Sequence, residues 1–220
     1  MLLKLLSVIL PWPLRRKALQ SWFGYQIHPT AKLGINWVFP RKLVMHAGSR
    51  IDHFTTAIHL DYIELGENAK IGRSNWITGF STHGQSKHFQ HQTDRKAELV
   101  MGDNSAIIKN HHIDCTSAIH IGRFSTVAGY NSQLLTHSID VFENRQDSAP
   151  ITIGEYSFVG TNVVILGGAN LPAYSVLGAK SLLNSAQTET WMLYGGVPAK
   201  PLKAIPSTAK YFTRTIGYVN

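Results

Sequence analysis

The sequence predicts an all-β chain wound as a triangular parallel β-helix, and three observations carry that expectation. A branched apolar residue recurs at every sixth position in the series Ile153, Val159, Ile165, Leu171, Leu177 and Leu183. Gly154, Gly160 and Gly178 directly follow three members of that series. Small side chains (Ser157, Val163, Ala169, Ser175 and Ser181) stand four places after the first five. An α-helix repeats at about 3.6 residues and a half-buried strand at about 2, so neither accounts for a period of six. In a triangular prism each side takes one hexapeptide and each coil takes three. A β-sandwich of short strands is the competing architecture, and it predicts alternation within strands instead. In the prism the large residue points inward and stacks on its equivalents in neighbouring coils, which is the main stabilising term. The small residue turns a cramped corner. The glycine is expected at a tight backbone position with positive φ.

Taken in chain order, residues 1–24 stand apart from the repeat. Met1 to Leu10 is apolar with one lysine, followed by Pro11-Trp12-Pro13 and the basic cluster Arg15-Arg16-Lys17. The apolar run is shorter than the roughly 20 residues that span a bilayer. Its main positive cluster follows the run and no small-x-small cleavage site comes after it, which is not the order of a signal peptide. Two readings remain open. One is an interfacial helix with Leu2, Leu3, Leu5, Leu6, Ile9 and Leu10 in the bilayer, Trp12 at its boundary and Arg15 to Lys17 on head groups. The other is a cap over the open end of the prism or against a partner subunit.

Residues 25–183 are assigned to the β-helix, in six or seven coils. Leu65, Ile71 and Ile77 form one coil, Met101, Ile107 and Ile113 another, and Ile121, Val127 and Gln133 a third. Ile51, Ala57 and Ile63 form a weaker coil, two residues out of register with the next, and an irregular one is expected around Ile27 to Val44. Two stretches, residues 78–100 and 134–150, interrupt the period and are expected to be loops. They resemble each other: Ser81-Thr82-His83 with Phe89, Arg95 and Ala97 parallels Leu135-Thr136-His137 with Phe142, Arg145 and Ala149. Both leave the third side of a coil, so both should project from the same edge, two coils apart. Long loops in a compact repeat fold commonly carry function. Residues 184–220 are expected to form a cap and tail, with a short helix near Ser207 to Thr213.

Composition agrees with a single domain. The 220 residues carry a net charge of +8, with basic residues at Arg15 to Lys17 and in the tail at Lys200, Lys203, Lys210 and Arg214. No helix-turn-helix, zinc or RNA-recognition pattern supports nucleic acid as the partner. A phosphorylated cofactor and an anionic membrane surface would use the same charge. The single cysteine, Cys115, rules out a disulfide within the chain and reads as a small packing residue in a reducing compartment.

Three segments in order resemble the hexapeptide-repeat acyltransferases with a left-handed β-helix: Thr136-His137-Ser138-Ile139-Asp140, the coils Ile153 to Leu183, and Gly196-Val197-Pro198-Ala199-Lys200. The resemblance is greatest to the branch of maltose and galactoside O-acetyltransferases and the O-acetyltransferases of capsule, colanic acid and lipopolysaccharide assembly. It covers roughly Ile51 to Lys203. It implies a homotrimer with its active site in the groove between neighbouring prisms, acetyl-CoA as donor and no metal. It implies His137 as catalytic base with Asp140 beside it, Ser138 standing where the family commonly has proline. Gly160, Thr161, Gly178, Ala179 and Lys180 match positions that contact coenzyme A, and Lys200 lies near its phosphates. The chain departs from the family at Leu171-Pro172 and at Asn184-Ser185, where a lysine is common.

The residues support that chemistry independently. Acyl transfer from a thioester needs a base for the attacking hydroxyl, and an imidazole can accept that proton and return it to the leaving thiolate. A carboxylate on the other ring nitrogen fixes the tautomer, and Asp140 is the candidate. His83, as the internal counterpart of His137, and His88 with Phe89 are candidates for acceptor binding, and His91 flanks Phe89 on the other side. The expected function is therefore an acetyl-CoA-dependent O-acetyltransferase acting on a sugar hydroxyl in surface polysaccharide or lipopolysaccharide synthesis. Its expected place is the cytoplasm, with a peripheral hold on the inner membrane face. Two alternatives stand beside it. His111, His112 and His120 raise a zinc site of the carbonic-anhydrase kind. A β-helix with a decayed groove would be a binding or scaffold protein.

Overall fold

A computed structural model describes residues Leu2 to Val219; Met1 and Asn220, which end the expected N-terminal segment and tail, lie outside the described residues. Short strands assemble into three parallel sheets, and successive strands pass from one sheet to the next, so the chain winds around a three-sided prism. Seven coils result. The first face stacks Ile27, Met45, Leu65, Met101, Ile121, Ile153 and Leu171 in register. The second stacks Leu33, Ile51, Ile71, Ile107, Val127, Val159 and Leu177, and ends on Tyr194. The third stacks Val38, Ala57, Ile77, Ile113, Leu134, Ile165 and Leu183. None of these side chains is more than 5% exposed, and together they form most of one core.

Two register expectations are corrected. Met45 precedes Ile51 and Ala57 in their coil, while Ile63 shares the strand Tyr62–Leu65 with Leu65 and both point inward. The two-residue offset is thus a longer corner after Ala57. Gln133 is exposed and Leu134 fills its expected place, because the corner at Gly129 to Asn131 holds one extra residue.

The glycines after the stacked residues also have a different cause from the one expected. Gly154, Gly160 and Gly178 are not among the positive-φ residues. Gly154 and Gly160 are crowded by the next coil, as is Gly72: a Cβ on Gly160 would stand 2.7 Å from the amide nitrogen of Ala179, and one on Gly72 1.7 Å from the carbonyl oxygen of Ile108, whereas one on Gly178 would meet nothing nearer than 3.4 Å. Positive φ falls instead at the corners, on Asn68, Asn104, Asn110, Asn131 and Asn162, where asparagine tolerates the left-handed region. Four aromatic residues, Phe124, Tyr156, Tyr174 and Trp191, hold the same conformation in one corner column. Their rings stack at centroid separations of 4.7, 5.4 and 4.6 Å.

Helix α1 (Leu2–Ile9) and helix α2 (Trp12–Phe23) precede the first coil. Leu19 of α2 is fully buried in the prism core. Arg15, expected on head groups, is 2% exposed and donates to the carbonyl oxygens of Gly34 and Asn36 at 2.6 and 3.2 Å. At the other end the strand Met192–Gly196 extends the second face and folds back on Ala199–Ala204 as a hairpin. The tail then runs back along the aromatic column through a 3-10 turn at Lys210–Thr213. There Phe212 packs against Tyr174 and Trp191, and Arg214 lies 3.9 Å over Tyr211 and donates to the Phe124 carbonyl.

Candidate active site

Both long loops leave the third face at the same edge. The strands Trp76–Thr78 and Gln133–Leu135, from which they depart, flank His112–Asp114 in the sheet. The last residue of that central strand, Asp114, therefore lies between the loop roots. Its carboxylate accepts from Thr116 Oγ1 at 2.7 Å, from Thr136 Oγ1 at 3.1 Å and from the Thr136 and His137 amides at 3.2 Å each. Burial alone would raise its pKa, but these donors and His137 together hold it below the ordinary carboxylate value.

His137 Nδ1 lies 2.7 Å from Asp114 Oδ2. An anionic carboxylate fixes the proton on Nδ1, leaving Nε2 as the ring nitrogen available to a substrate. The hydrogen bond that His137 donates to Asp114 raises the histidine's pKa above its ordinary value against the opposing effect of burial. Asp140, expected as the partner, is not. The segment His137–Asp140 pairs antiparallel with Arg145–Ser148, which carries Asp140 three residues up the hairpin. There it accepts from the Phe142 and Glu143 amides at 3.0 and 3.2 Å and stands 3.9 Å from Arg145. Its job is closing the hairpin turn.

The first loop folds onto this hairpin. Phe89 is buried, its ring edge-on to His137 at 6.2 Å. Gln92 Nε2 donates to Asp147 Oδ1 and to the Ser148 carbonyl, both at 2.7 Å, while Ser148 Oγ donates to Gln92 Oε1 at 2.6 Å. Ser148 is the residue paired across the hairpin with His137. Arg95 donates to the carbonyls of Phe80 and Thr116 at 2.5 Å each and lies 4.7 Å over the Phe89 ring. The loops border a half-open pocket of about 280 Å³ lined by Phe80, His88, Phe89, Asp114, Thr116, His137 and Gln146, among others. The structure thus gathers His137, His88 and Phe89. It leaves His83 out: that residue is exposed, its amide donates to Ser81 Oγ, and it does not line the pocket.

The histidines of the metal alternative are dispersed. His111 is buried at a corner, accepts the Ser132 amide on Nδ1, and is held neutral by burial, its pKa lowered to about 4. His112 points out of the third face, and His120 on the first face reaches Glu98 at 3.0 Å. Among the described residues no three His, Cys, Asp or Glu side chains are grouped to hold a metal ion. Cys115 is fully buried and its thiol pKa is pushed up by desolvation, which keeps it protonated.

No protein-family model matches the sequence, and no curated protein matches it. Solved structures do. A hexapeptide-repeat-containing acetyltransferase from Vibrio cholerae O1 biovar eltor, complexed with acetyl coenzyme A, superposes with a TM-score of 0.56 at 19% identity. The match covers 93% of this chain and 84% of that one. AntD, an N-acyltransferase from Bacillus cereus in complex with dTDP-4-amino-4,6-dideoxyglucose and coenzyme A, matches with a TM-score of 0.55 at 13% identity. That match covers 83% of this chain and 87% of the other. A hexapeptide transferase family protein from Anaplasma phagocytophilum matches with a TM-score of 0.50 at 19% identity, over 86% and 82% of the two chains. The chain has the hexapeptide-repeat fold.

In this hexapeptide-repeat fold the residues expected at a cofactor lie apart from His137. Gly160 and Thr161 turn the corner between the second and third faces, and Gly178, Ala179 and Lys180 turn it one coil later. The closing hairpin, with Lys200, packs beside them: the Gly196 amide donates to Ser181 Oγ at 3.2 Å. The amides of Gly160, Gly178 and Lys180 are already bonded to neighbouring coils. His137 stands at the opposite edge of the third face, beyond the end of Gln133–Leu135. One chain does not bring the two sets together.

Sequence reasoning missed Asp114, Gln92, Arg95 and Gln146. A signal for Asp114 existed. Stacking the coils aligns Thr78, Asp114 and Leu135 at one exit position, and the carboxylate there lies next to the residues that lead into Thr136-His137. Nothing local marks Gln92, whose partners are 55 and 56 residues away.

Proposed function

We propose that this protein is an acyltransferase that moves the acetyl group of acetyl-CoA onto a sugar hydroxyl, with His137 as general base. The carrying observation is the Asp114–His137 pair at 2.7 Å, set over a half-open pocket between two loops that lock onto each other. His137 Nε2 takes the proton as the hydroxyl oxygen attacks the thioester carbonyl. The tetrahedral adduct then collapses, the carbon–sulfur bond breaks, and the imidazolium returns the proton to the leaving thiolate. Asp114 holds the ring and stabilises its charged form. No covalent enzyme intermediate is needed, and Cys115 is too deeply buried to supply one.

The reading extends to the assembly. We propose a left-handed winding and a homotrimer, in which the corner with Gly160, Thr161, Gly178, Ala179, Lys180 and Lys200 on one chain faces the His137 edge of the next. The separation of these sets across one face of a single chain supports a shared site. The acceptor is proposed to be a nascent surface polysaccharide or lipopolysaccharide, modified in the cytoplasm. The likeness to AntD, whose complex holds an amino sugar nucleotide, makes an amine acceptor the alternative.

Release of free thiol from acetyl-CoA, over a panel of glycans, sugar nucleotides and amino sugar nucleotides, tests the reading. Wild type should turn over at least one hydroxyl acceptor. His137→Ala should bind CoA equally well by calorimetry and lose about 100- to 10,000-fold in kcat. Turnover restricted to amines would correct the acceptor, and a wild type that binds no CoA would overturn the whole reading.

A further inference from the structure

Helix α1 is built inside out. Leu2, Leu5, Leu6 and Ile9 share one face, at the spacing of an amphipathic helix. On a globular protein that face turns inward. Here these residues are 70, 49, 40 and 77% exposed, and Leu3 beside them 48%. The protein-facing side carries Lys4, Ser7 and Val8 instead: Ser7 is fully buried and Lys4 sits over the Phe39 ring at 5.2 Å. Leu14 and Trp22 on α2 are also exposed. Five large aliphatic side chains on one short helix make a contiguous apolar surface of the kind that marks an interaction site.

The charge distribution names the partner. Residues 1–51 hold eight lysines and arginines and not one aspartate or glutamate, whereas the rest of the chain carries thirteen of each sign. The whole net charge of +8 therefore resides in the two helices and the start of the prism. Lys17, Lys32, Arg41 and Lys42 are exposed there. An outward apolar helix set in a purely cationic end of the molecule complements a surface that is apolar inside and anionic outside, which a protein partner offers only by special arrangement.

We infer that the N-terminal end of the prism docks on an anionic lipid bilayer, with the outer face of α1 in the interface and the surrounding cations on head groups. Arg15 takes no part, since it is bound to the carbonyls of Gly34 and Asn36. Its role is to fasten α2, and so α1, to the first coil. If the acyltransferase reading also holds, His137, which follows the fifth coil, stands four coil spacings of about 4.8 Å each from the first coil. Such an offset suits an acceptor carried on a lipid and projecting from the surface.

Flotation of the full chain with vesicles tests the inference. The probes are phosphatidylcholine alone and phosphatidylcholine with roughly 30 mol% phosphatidylglycerol, at low and high salt. Wild type should float with the anionic vesicles and not the neutral ones. Leu5→Glu/Leu6→Glu should lose flotation, and Arg16→Glu/Lys17→Glu should weaken it by about tenfold or more. Both variants alter side chains that lie outside the core, and an unchanged thermal unfolding midpoint checks that they fold. A wild type that ignores anionic vesicles overturns the inference, and so does undiminished flotation of Leu5→Glu/Leu6→Glu. A changed sedimentation coefficient for that variant, without vesicle binding in wild type, would give the face to a second copy of the chain. Thiol release with a soluble acceptor should be unchanged in both variants, so failure here and failure of the acyltransferase reading are separate results.

Discussion

At the residue scale, the central feature is the carboxylate behind His137. As the proposed base His137 must be neutral to act, and because hydrogen bonding to Asp114 raises its pKa, the proposed reaction should slow as pH falls through a value above the ordinary 6.5. The acid limb of kcat/KM should therefore lie above that value in wild type. In Asp114→Asn it should move down, with kcat reduced by about 100-fold or more. A limb that stays in place in Asp114→Asn would show that another group controls it. The same pair has a stability consequence. The raised histidine contributes fully below 6.5 and loses its contribution as pH rises through the elevated value. The lowered aspartate contributes above 3.8 and loses its contribution as pH falls through the depressed value. Their joint contribution is thus complete only between those two ordinary pKa values, and a thermal midpoint measured against pH should show the difference between wild type and Asp114→Asn greatest there. Gln92 acts differently. It touches no proposed reacting atom, but it holds Ser148, the residue paired with His137. Gln92→Ala should lower kcat by about tenfold through loss of alignment while leaving the acid limb unmoved.

At the scale of the element, each coil is held by burial of its three inward residues and constrained by how closely the next coil approaches. Ile113 is 1% exposed and sits between Ile77 and Leu134. Ile113→Ala should cost about 2–5 kcal/mol in chemical denaturation, because the rigid stack closes poorly over a gap. Gly72→Ala should cost about 3 kcal/mol, since its Cβ would meet a backbone oxygen at 1.7 Å. Gly84→Ala, in the exposed first loop with its nearest neighbour at 3.9 Å, should be close to neutral. The aromatic column poses a balance of two effects. Left-handed backbone at Tyr174 costs about 1–2 kcal/mol, which asparagine would partly relieve. Its two stacked neighbours contribute about 0.5–1.5 kcal/mol each beyond burial, and its hydroxyl donates to Glu155 at 2.8 Å. The stacking side is larger, so Tyr174→Asn should be destabilising and should loosen the tail, which more rapid proteolysis after Lys210 would report.

At the scale of the whole molecule, the arrangement of edges decides what one chain can do. The His137 edge and the Gly160–Lys180 corner bound the same face from opposite sides, so a shared site predicts complementation between chains. Mixed oligomers of His137→Ala and Ala179→Trp, each inactive alone, should regain part of the wild-type rate after co-refolding, because some interfaces then join two intact halves. No recovery, with both variants assembled, would place the complete site within one chain. The prism also has polarity, with the cationic helices at one end and the closing hairpin at the other.

Much of this was legible in the sequence, because a hexapeptide repeat is a local pattern. The stacked residues from Ile153 to Leu183 and the two interruptions could be read by counting, whereas His137 was singled out by its place in a family-like motif. What failed were the steps where counting breaks. One extra residue at the Gly129–Asn131 corner exchanged Gln133 for Leu134, and a longer corner after Ala57 regrouped the early coils. Asp140 lay nearest in sequence to His137, but antiparallel pairing turned it up the hairpin. Asp114 reached His137 from 23 residues away because winding sets coils side by side. The sequence by itself determined the period, hence the three-sided prism and its core, since burial at a fixed spacing is a property of adjacent residues. Only the tertiary structure decided which carboxylate meets the histidine, why the glycines are required, and that the apolar face of α1 points outward. Those depend on contacts between segments far apart in the chain, which periodicity does not encode.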